Sequence, residues 1–381
     1  MSTPFIAMVA GEASGDFLGA HLIEALKARL PGARYAGIGG PKMKSAGFDS
    51  WFPIEKLAVR GYVEVLRHYP EIIGIRRRLR RRILGEKPAL FVGIDAPDFN
   101  IDLEGCLKRS GIPTVHYASP SIWAWRGARL GRIARAVNQM LVLFPFEAGL
   151  YRQANIPVSY VGHPLADVIP LEDSTAAARE QLRLSGERRI LALLPGSRQS
   201  ELRYMAATFV RAAKLVHERL PEAHFLVPLI NRETRSLFQA ALHEEGGQDL
   251  PLTILFGHAR EAIAAADAVL VASGTATLET ALYRKPMVIT YRMAELTWNI
   301  MSRMRYQPYV GLPNIIAGEF IVPELLQDEA TPENLAQALV NVHNDPVIQR
   351  RLPERLAAIH RSLRQDTAAR AADAVLAWLQ R

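Results

Sequence analysis

Short, continuously apolar runs alternate with longer amphipathic stretches along most of the chain. In the first half, FIAMVA (5–10), ARYAGIG (33–39), ALFVGID (89–95), PTVHYAS (113–119), QMLVLFP (139–145) and VSYVG (158–162) predict strands. Between them, stretches such as AHLIEALKARL (20–30) and GARLGRIARAV (127–137) place apolar residues at helical spacing. Strands without polar alternation, separated by helices, predict a parallel sheet covered on both faces. The alternation pauses at HPLADVIPLEDST (163–175), rich in proline and acid, and the chain is expected to change domain there. It resumes with RILALLPG (189–196), HFLVPLI (224–230), LTILFG (252–257), AVLVASG (268–274) and PMVITYR (286–292). Beyond about residue 325 the pattern is helical to the end. The expected fold is therefore α/β: two Rossmann-like, doubly wound domains facing across a cleft, with C-terminal helices. Ligands of such sheets sit outside the carboxyl ends of the strands, so the loops there are the ones to read.

Composition narrows the class. With 381 residues, 49% hydrophobic and 22% charged, the chain is long enough for two cores and too apolar for disorder. A formal charge of +8 points to an anionic partner: nucleic acid, a phosphorylated small molecule or an acidic lipid surface. Cys106 is the only cysteine, which excludes an internal disulfide and a cysteine-based zinc site. The N-terminal residues lack a basic stretch followed by a long apolar core, so no signal peptide is expected. The apolar runs fall far short of the ~20 residues that span a bilayer. A protein of a reducing compartment, able to touch a membrane but not to cross it, is expected.

Four strand-to-helix junctions carry candidate chemistry. In LLPGSRQSE (193–201), Gly196 permits close backbone approach, Ser197 starts a helix whose positive end attracts an anion, and Arg198 adds a bidentate guanidinium. In ASGTATLET (272–280), Ser273, Gly274, Thr275 and Thr277 suit the second edge of a diphosphate, with Glu279 one turn in, where it could accept two ribose hydroxyls. In VAGEASGD (9–16), Glu12, Ser14 and Asp16 are either helix caps or a polar cleft for sugar hydroxyls. GIDAPDFN (93–100) sets Asp95 at a strand end, well placed as a general base, with Asp98 either a second catalytic carboxylate or an Asx turn. HYASPSIWAW (116–125) adds His116, then Trp123 and Trp125. No GxxxxGK[ST], HExxH or EF-hand pattern occurs, and Gly37-Ile38-Gly39-Gly40 lacks the full dinucleotide fingerprint. Helix ends and Arg198 can hold a departing diphosphate unaided, so neither a metal nor a cofactor is expected.

Together, VAGEASGD, GIDAPDFN, HYASPSIWAW, LLPGSR, ASGTATLE and VGLPN, in order from residue 9 to beyond 314, resemble the lipid-A-disaccharide synthase family. The resemblance implies the GT-B glycosyltransferase architecture, with the nucleotide in the C-terminal domain. The expected division is 1–165, completed by helices 345–381, and 166–344. It implies transfer from UDP-2,3-diacylglucosamine to 2,3-diacylglucosamine 1-phosphate (lipid X), giving a β-1,6-linked disaccharide and UDP. It also implies Asp95 as the base, with Arg198, the Ser273–Glu279 loop and Asn314 on the nucleotide side. A homodimer with exchanged C-terminal segments is a further implication, as is a cytoplasmic location with peripheral association at the inner membrane. The family's hydrophobic surface corresponds to VRGYVEVL (59–66), including Val59, Tyr62, Val63 and Leu66.

Directly after it comes IIGIRRRLRRRIL (72–84). On a helix begun by Pro70, Ile72, Ile75, Leu79 and Ile83 form one stripe, while Arg77, Arg78, Arg80 and Arg81 crowd the far side. An apolar patch with a cationic collar suits an interface holding acylated, phosphorylated substrates. Nucleic acid is not expected as a partner, because no aromatic platform or recognised module adjoins the run. The competing readings are another UDP-sugar enzyme of this fold, such as a UDP-N-acetylglucosamine 2-epimerase or a lipid-linked GlcNAc transferase, and a non-enzymatic interfacial binding protein.

Overall fold

The computed structural model describes residues 3–57, 62–122, 129–184, 189–295, 298 and 308–379, and the side chains of 62–69 lie outside that description. The chain divides into two compact units, Met1–Asp167 with Leu363–Arg381, and Val168–Ser362.

The first unit runs β1 (Phe5–Ala10), α1 (Ala13–Arg29), β2 (Arg34–Ile38), α2 (Pro41–Ser45), β3 (Asp49–Phe52), α3 (Tyr62–Glu86), β4 (Leu90–Ile94), α4 (Pro97–Arg109), β5 (Thr114–Tyr117), α5 (Leu130–Ala136), β6 (Gln139–Val142), α6 (Glu147–Gln153), β7 (Val158–Tyr160) and α7 (Pro164–Val168). Its sheet has the order β3-β2-β1-β4-β5-β6-β7, every pair parallel. The second unit runs α8 (Thr175–Gln181), β8 (Arg189–Leu194), α9 (Gln199–Arg219), β9 (Ala223–Leu229), α10 (Arg232–Glu244), β10 (Leu252–Phe256), α11 (Ala259–Ala265), β11 (Ala268–Ala272), α12 (Thr275–Leu282), β12 (Met287–Tyr291), α13 (Leu312–Ala317), β13 (Glu324–Leu326), α14 (Pro332–Asn344) and α15 (Pro346–Leu363). Its parallel sheet has the order β10-β9-β8-β11-β12-β13. Both sheets are Rossmann-like, as the alternation of apolar runs predicts. Helices cover both faces of each, which is why Ile6 to Ala10 of β1 and Val269 to Val271 of β11 are fully buried without polar alternation.

Three expectations are corrected. The edge strands β3 and β13 carry the sequences DSWF and ELL; with so few residues and one neighbour each, they lack the apolar run that marks a central strand. The helical pattern therefore begins after β13, at α14. Helix α3 is described from Tyr62, and Pro70 lies inside it. An interior proline loses one backbone bond and crowds the carbonyl four residues back, but packing of the helix can outweigh that cost, so proline does not by itself mark a start. The C-terminal return to the first unit also starts later than 345, because α15 up to Ser362 groups with the second unit.

That return is a capped docking. Helix α16 (Thr367–Leu379) buries Ala371, Ala372 and Val375 in the first unit's core. The Asp167 carboxylate accepts the amides of Asp366 at 3.1 Å and Thr367 at 2.8 Å, satisfying donors that the helix itself leaves orphaned. Arg29 of α1 pairs with Asp373 at 3.2 Å. Asp167→Ala is expected to lower unfolding stability by roughly 0.5–2 kcal/mol, the usual worth of a helix cap. Urea denaturation checks the loss, and hydrogen exchange should place its first effect in α16.

Candidate active site

In the first sheet the winding reverses beside β1: the chain moves outward through β2 and β3, then restarts at β4 on the other side. In the second sheet it reverses between β8 and β11. At such a reversal the two neighbouring loops lead to opposite faces and leave a crevice at the carboxyl ends of the strands. The loops there are Gly11–Ser14 and Asp95–Asp98 in the first unit, and Gly196–Arg198 and Ser273–Thr275 in the second. Topology selects the same loops that the residue pattern selects.

Asp95 sits directly after β4 in left-handed backbone (φ 55°), and Ala96 follows at φ 44°. Two such residues in succession cost on the order of 1–2 kcal/mol each, so the turn must be held from outside. The Asp95 amide donates to Tyr117 O at 2.9 Å, and the amides of Phe99 and Asn100 donate to Ala96 O at 3.0 Å. The buried Asn100 amide group donates to the carbonyls of Asp95 (2.8 Å), Val9 (3.2 Å) and Ile94 (3.4 Å), tying β1 to the turn. The carboxylate accepts its own neighbour's Ala96 amide at 2.8 Å through Oδ1 and the Ser14 hydroxyl at 2.9 Å through Oδ2. Ser14 and Asp95 therefore bridge the reversal. The two loops can come this close because residue 11 has no side chain: a Cβ on Gly11 would stand 2.2 Å from the Ala96 Cβ.

The neighbouring candidates divide. Glu12 is half-buried at the N-cap position of α1, beside Ser14. Asp16 does not reach a polar cleft: it is 3% exposed and accepts the amides of Gly40, Lys42 and Met43 at 2.8–3.0 Å, capping α2. Asp98 has surroundings of its own, apart from the bonds that hold Asp95. It occupies the first turn of α4, where the helix end favours an acid, and its largely exposed carboxylate pairs with Arg129 at 2.8 Å. His116 likewise lies in the core, fully buried, with Nδ1 2.8 Å from Oε1 of the equally buried Glu104. Burial alone would push this imidazole down, but the Glu104 carboxylate, with a smaller pull from Asp95, holds it above its ordinary value. Gly93 makes room for the pair, since a Cβ there would stand 2.1 Å from Glu104 Oε1. Asn100 and Glu104 escape a reading from residues alone; their signal is a polar pair one helical turn apart on the apolar face of α4. Trp123, Trp125 and Val59 lie outside the described residues, as do the side chains of Tyr62, Val63 and Leu66.

In the second unit, Gly196 (φ 128°) makes room for protein and not for ligand, because a Cβ there would meet the Glu201 carboxylate at 2.8 Å. Glu201 Oε2 accepts the amides of Ser197 at 2.9 Å and Arg198 at 3.2 Å. The nest expected to cradle a phosphate is thus filled by the helix's own third residue, at the spacing of a capping box. Arg198 remains exposed, its guanidinium 3.4 Å from Glu201 Oε1. Beside it, in register across β8 and β11, Gly274 and Thr275 are exposed at the N-terminus of α12 and Ser273 is half-buried. Thr277 is buried and spends its hydroxyl on Gly274 O at 2.7 Å, so it shapes the turn instead of facing outward. Glu279 is half-buried, 3.4 Å from Arg260; burial pushes its carboxyl up, against the opposing pull of Arg260. Asn314 belongs to the scaffold. Its amide donates to Val322 O and Glu324 Oε1 and accepts the amides of Ile321 and Val322, all within 2.8–3.0 Å, leaving no valence for a ligand.

A family model described as lipid-A-disaccharide synthetase matches residues 6–375. A lipid-A-disaccharide synthase of Dechloromonas aromatica (strain RCB) is 58% identical over 375 residues, covering 98% of each chain. One of Azoarcus sp. (strain BH72) is 58% identical over 376 residues, covering 99% of this chain and 96% of that one. Among solved structures, the glycotransferase of kitacinnamycin superposes with a TM-score of 0.67 at 17% identity over the whole of both chains, a likeness of fold.

The His116–Glu104 pair makes stability depend on pH. The folded imidazole value lies above the unfolded one (about 6.5), so the pair's contribution is complete below that pH and is lost as pH rises through the folded value. Glu104→Gln is expected to remove that decline, seen as urea midpoints that fall with rising pH in the wild type and much less in the variant.

Proposed function

We propose, for a chain that belongs to the lipid-A-disaccharide synthetase family, that Asp95 is the general base of its reaction and that the loops after β8 and β11 hold the donor nucleotide. The protein is a glycosyltransferase that joins UDP-2,3-diacylglucosamine to 2,3-diacylglucosamine 1-phosphate, giving the β-1,6-linked lipid A disaccharide and UDP. Family membership sets aside the epimerase, the other GlcNAc transferases and the non-enzymatic reading. The observation that carries the assignment of Asp95 is its position: a carboxylate at a strand end, on the winding reversal, in a backbone conformation that Tyr117, Phe99 and Asn100 fix.

Inversion at the donor's anomeric carbon requires the acceptor hydroxyl to lose its proton as it attacks. A fixed carboxylate takes that proton as the new C–O bond forms and the bond to UDP breaks. Ser14, donating to Oδ2, orients the carboxylate. The departing diphosphate gains negative charge, which the exposed Arg198 guanidinium and the open first turn of α12 are disposed to hold. Glu201 keeps Arg198 aimed outward by holding the loop's amides. Burial pushes the Glu279 carboxyl up, and its ionised form is the stronger acceptor of ribose hydroxyls, so nucleotide binding is expected to strengthen as pH rises.

Among the described residues no helix is long and apolar enough to cross a membrane. Peripheral docking on an anionic membrane surface is supported by the exposed arginines of α3, next to the apolar segment 59–66. A homodimer with exchanged C-terminal segments is supported by the modular docking of α16, since a second copy's helix would meet the same Asp167 cap and apolar seat.

UDP release from the two named substrates tests the reaction. Asp95→Asn is expected to lower turnover by about 10²–10⁴-fold with UDP affinity kept, the range of general-base loss; near-normal turnover would remove Asp95 from the role. Arg198→Ala is expected to weaken UDP binding by about tenfold or more. Sedimentation of the whole chain, alone and with anionic vesicles, reads dimer mass and membrane docking together. A monomer that stays in the supernatant would overturn both.

A further inference from the structure

The arginine run does not present one uniform face. Arg78 lies over the Phe52 ring (5.6 Å to the centroid) and Arg82 over Trp51 (4.0 Å), while Arg81 is exposed. Arg76, Arg77 and Arg80 turn the other way and line a surface cavity of about 400 Å³. That volume falls in the range of small-molecule sites, roughly 300–1,000 Å³. Helix α4 forms its floor, and α3 and α5 form its walls. Arg109 comes from α4, and Arg132 and Arg135 come from α5.

Six guanidiniums thus face one space from three helices, with Asp102 the only carboxylate in the lining. Asp102 is already shared: Arg76 reaches it at 3.0 Å and Arg132 also pairs with it, which draws both walls onto the floor. Arg80 and Arg109 reach only the Cys106 sulfur, at 3.9 and 3.4 Å, a weak acceptor. Among the described residues, Arg77, Arg80, Arg109 and Arg135 have no carboxylate partner. Like charges held this close repel, and a multivalent anion among them would turn that repulsion into attraction. Every cation here is arginine, whose planar fork matches phosphate oxygens in pairs. Gly105 leaves the floor open, since even a Cβ there would meet nothing nearer than 3.6 Å. The lining holds no aromatic ring on which a nucleobase could stack, which argues against nucleic acid.

We propose that this cavity is a binding site for a phosphate monoester, carried by a lipid headgroup or free in solution. The site lies wholly within the first unit and depends neither on Asp95 as base nor on the nucleotide loops. Its charge remains partly hydrated, so affinity falls as salt rises.

Two probes separate the sources: inorganic phosphate, followed by titration calorimetry, and phosphatidylcholine vesicles with and without phosphatidic acid, followed by co-sedimentation. Saturable binding of either is expected, and Arg80→Glu with Arg135→Glu should weaken it by about tenfold or more. Lys44→Glu, the same charge change on α2 and outside the cavity, should leave it within about twofold of wild type. Binding of vesicles alone assigns the site to a lipid headgroup, and binding of both probes assigns it to the phosphate group itself. Cys106 on the floor supplies a locating readout, because occupancy should slow its alkylation by N-ethylmaleimide. The proposal is overturned if neither probe binds, if Lys44→Glu weakens binding as much as the cavity pair, or if binding persists with no change in Cys106 alkylation.

Discussion

The placement of the candidate catalytic loops depends on where two parallel sheets reverse their winding. A parallel strand must be followed by a crossover helix, and at a reversal adjacent crossovers leave toward opposite faces. Both reversals lie beside the first strand of their unit, β1 and β8, and in the first unit a glycine allows the two loops to close on each other. Gly11 lets the β1 loop meet Ala96, and Ser14 then reaches Asp95. The chemistry is a consequence of strand order before it is a consequence of any one side chain.

The cost of placing a carboxylate there is local strain. Asp95 and Ala96 are held left-handed against their preference, and the surrounding residues are committed to keeping them so. Asn100 reaches three carbonyls from the core, and His116 and Glu104 bury a hydrogen-bonded pair one layer below. A buried pair of this kind is weak evidence for stability and better evidence for a fixed arrangement. Its value here lies in a floor beneath Asp95 that cannot rearrange without leaving a buried polar group unpaired.

Polar residues in telling motifs proved to be of two kinds. Asp95, Ser14, Arg198 and Glu279 retain atoms facing outward or a shifted titration, whereas Asp16, Asn314 and Thr277 spend theirs on backbone groups of their own unit. A motif reports that a residue type is needed at a position. It cannot say whether the need is a ligand's or the chain's own, because a helix N-terminus attracts a phosphate and a protein carboxylate by the same physics. Glu201 is the clearest instance, filling the loop that looked most like a phosphate cradle.

Sequence by itself determined the class of fold, the central strands, the pause between units and the loops at the winding reversals. Those properties follow from local patterns, namely period, apolar continuity and strand-to-helix junctions, and each is written within a dozen neighbouring residues. It also placed Asp95 at its strand end. Only the tertiary structure decided the edge strands β3 and β13, whose pairing depends on a neighbour already in place, and the helical turns of α3 ahead of Pro70. Only it showed that α16, and not α15, returns to the first unit. Only it divided the arginines of 76–82 into rings, solvent and cavity, because that division is set by α4 and α5, far away in sequence. Hydrophobic periodicity is a property of the chain, but whether a polar atom is free is a property of what folds against it.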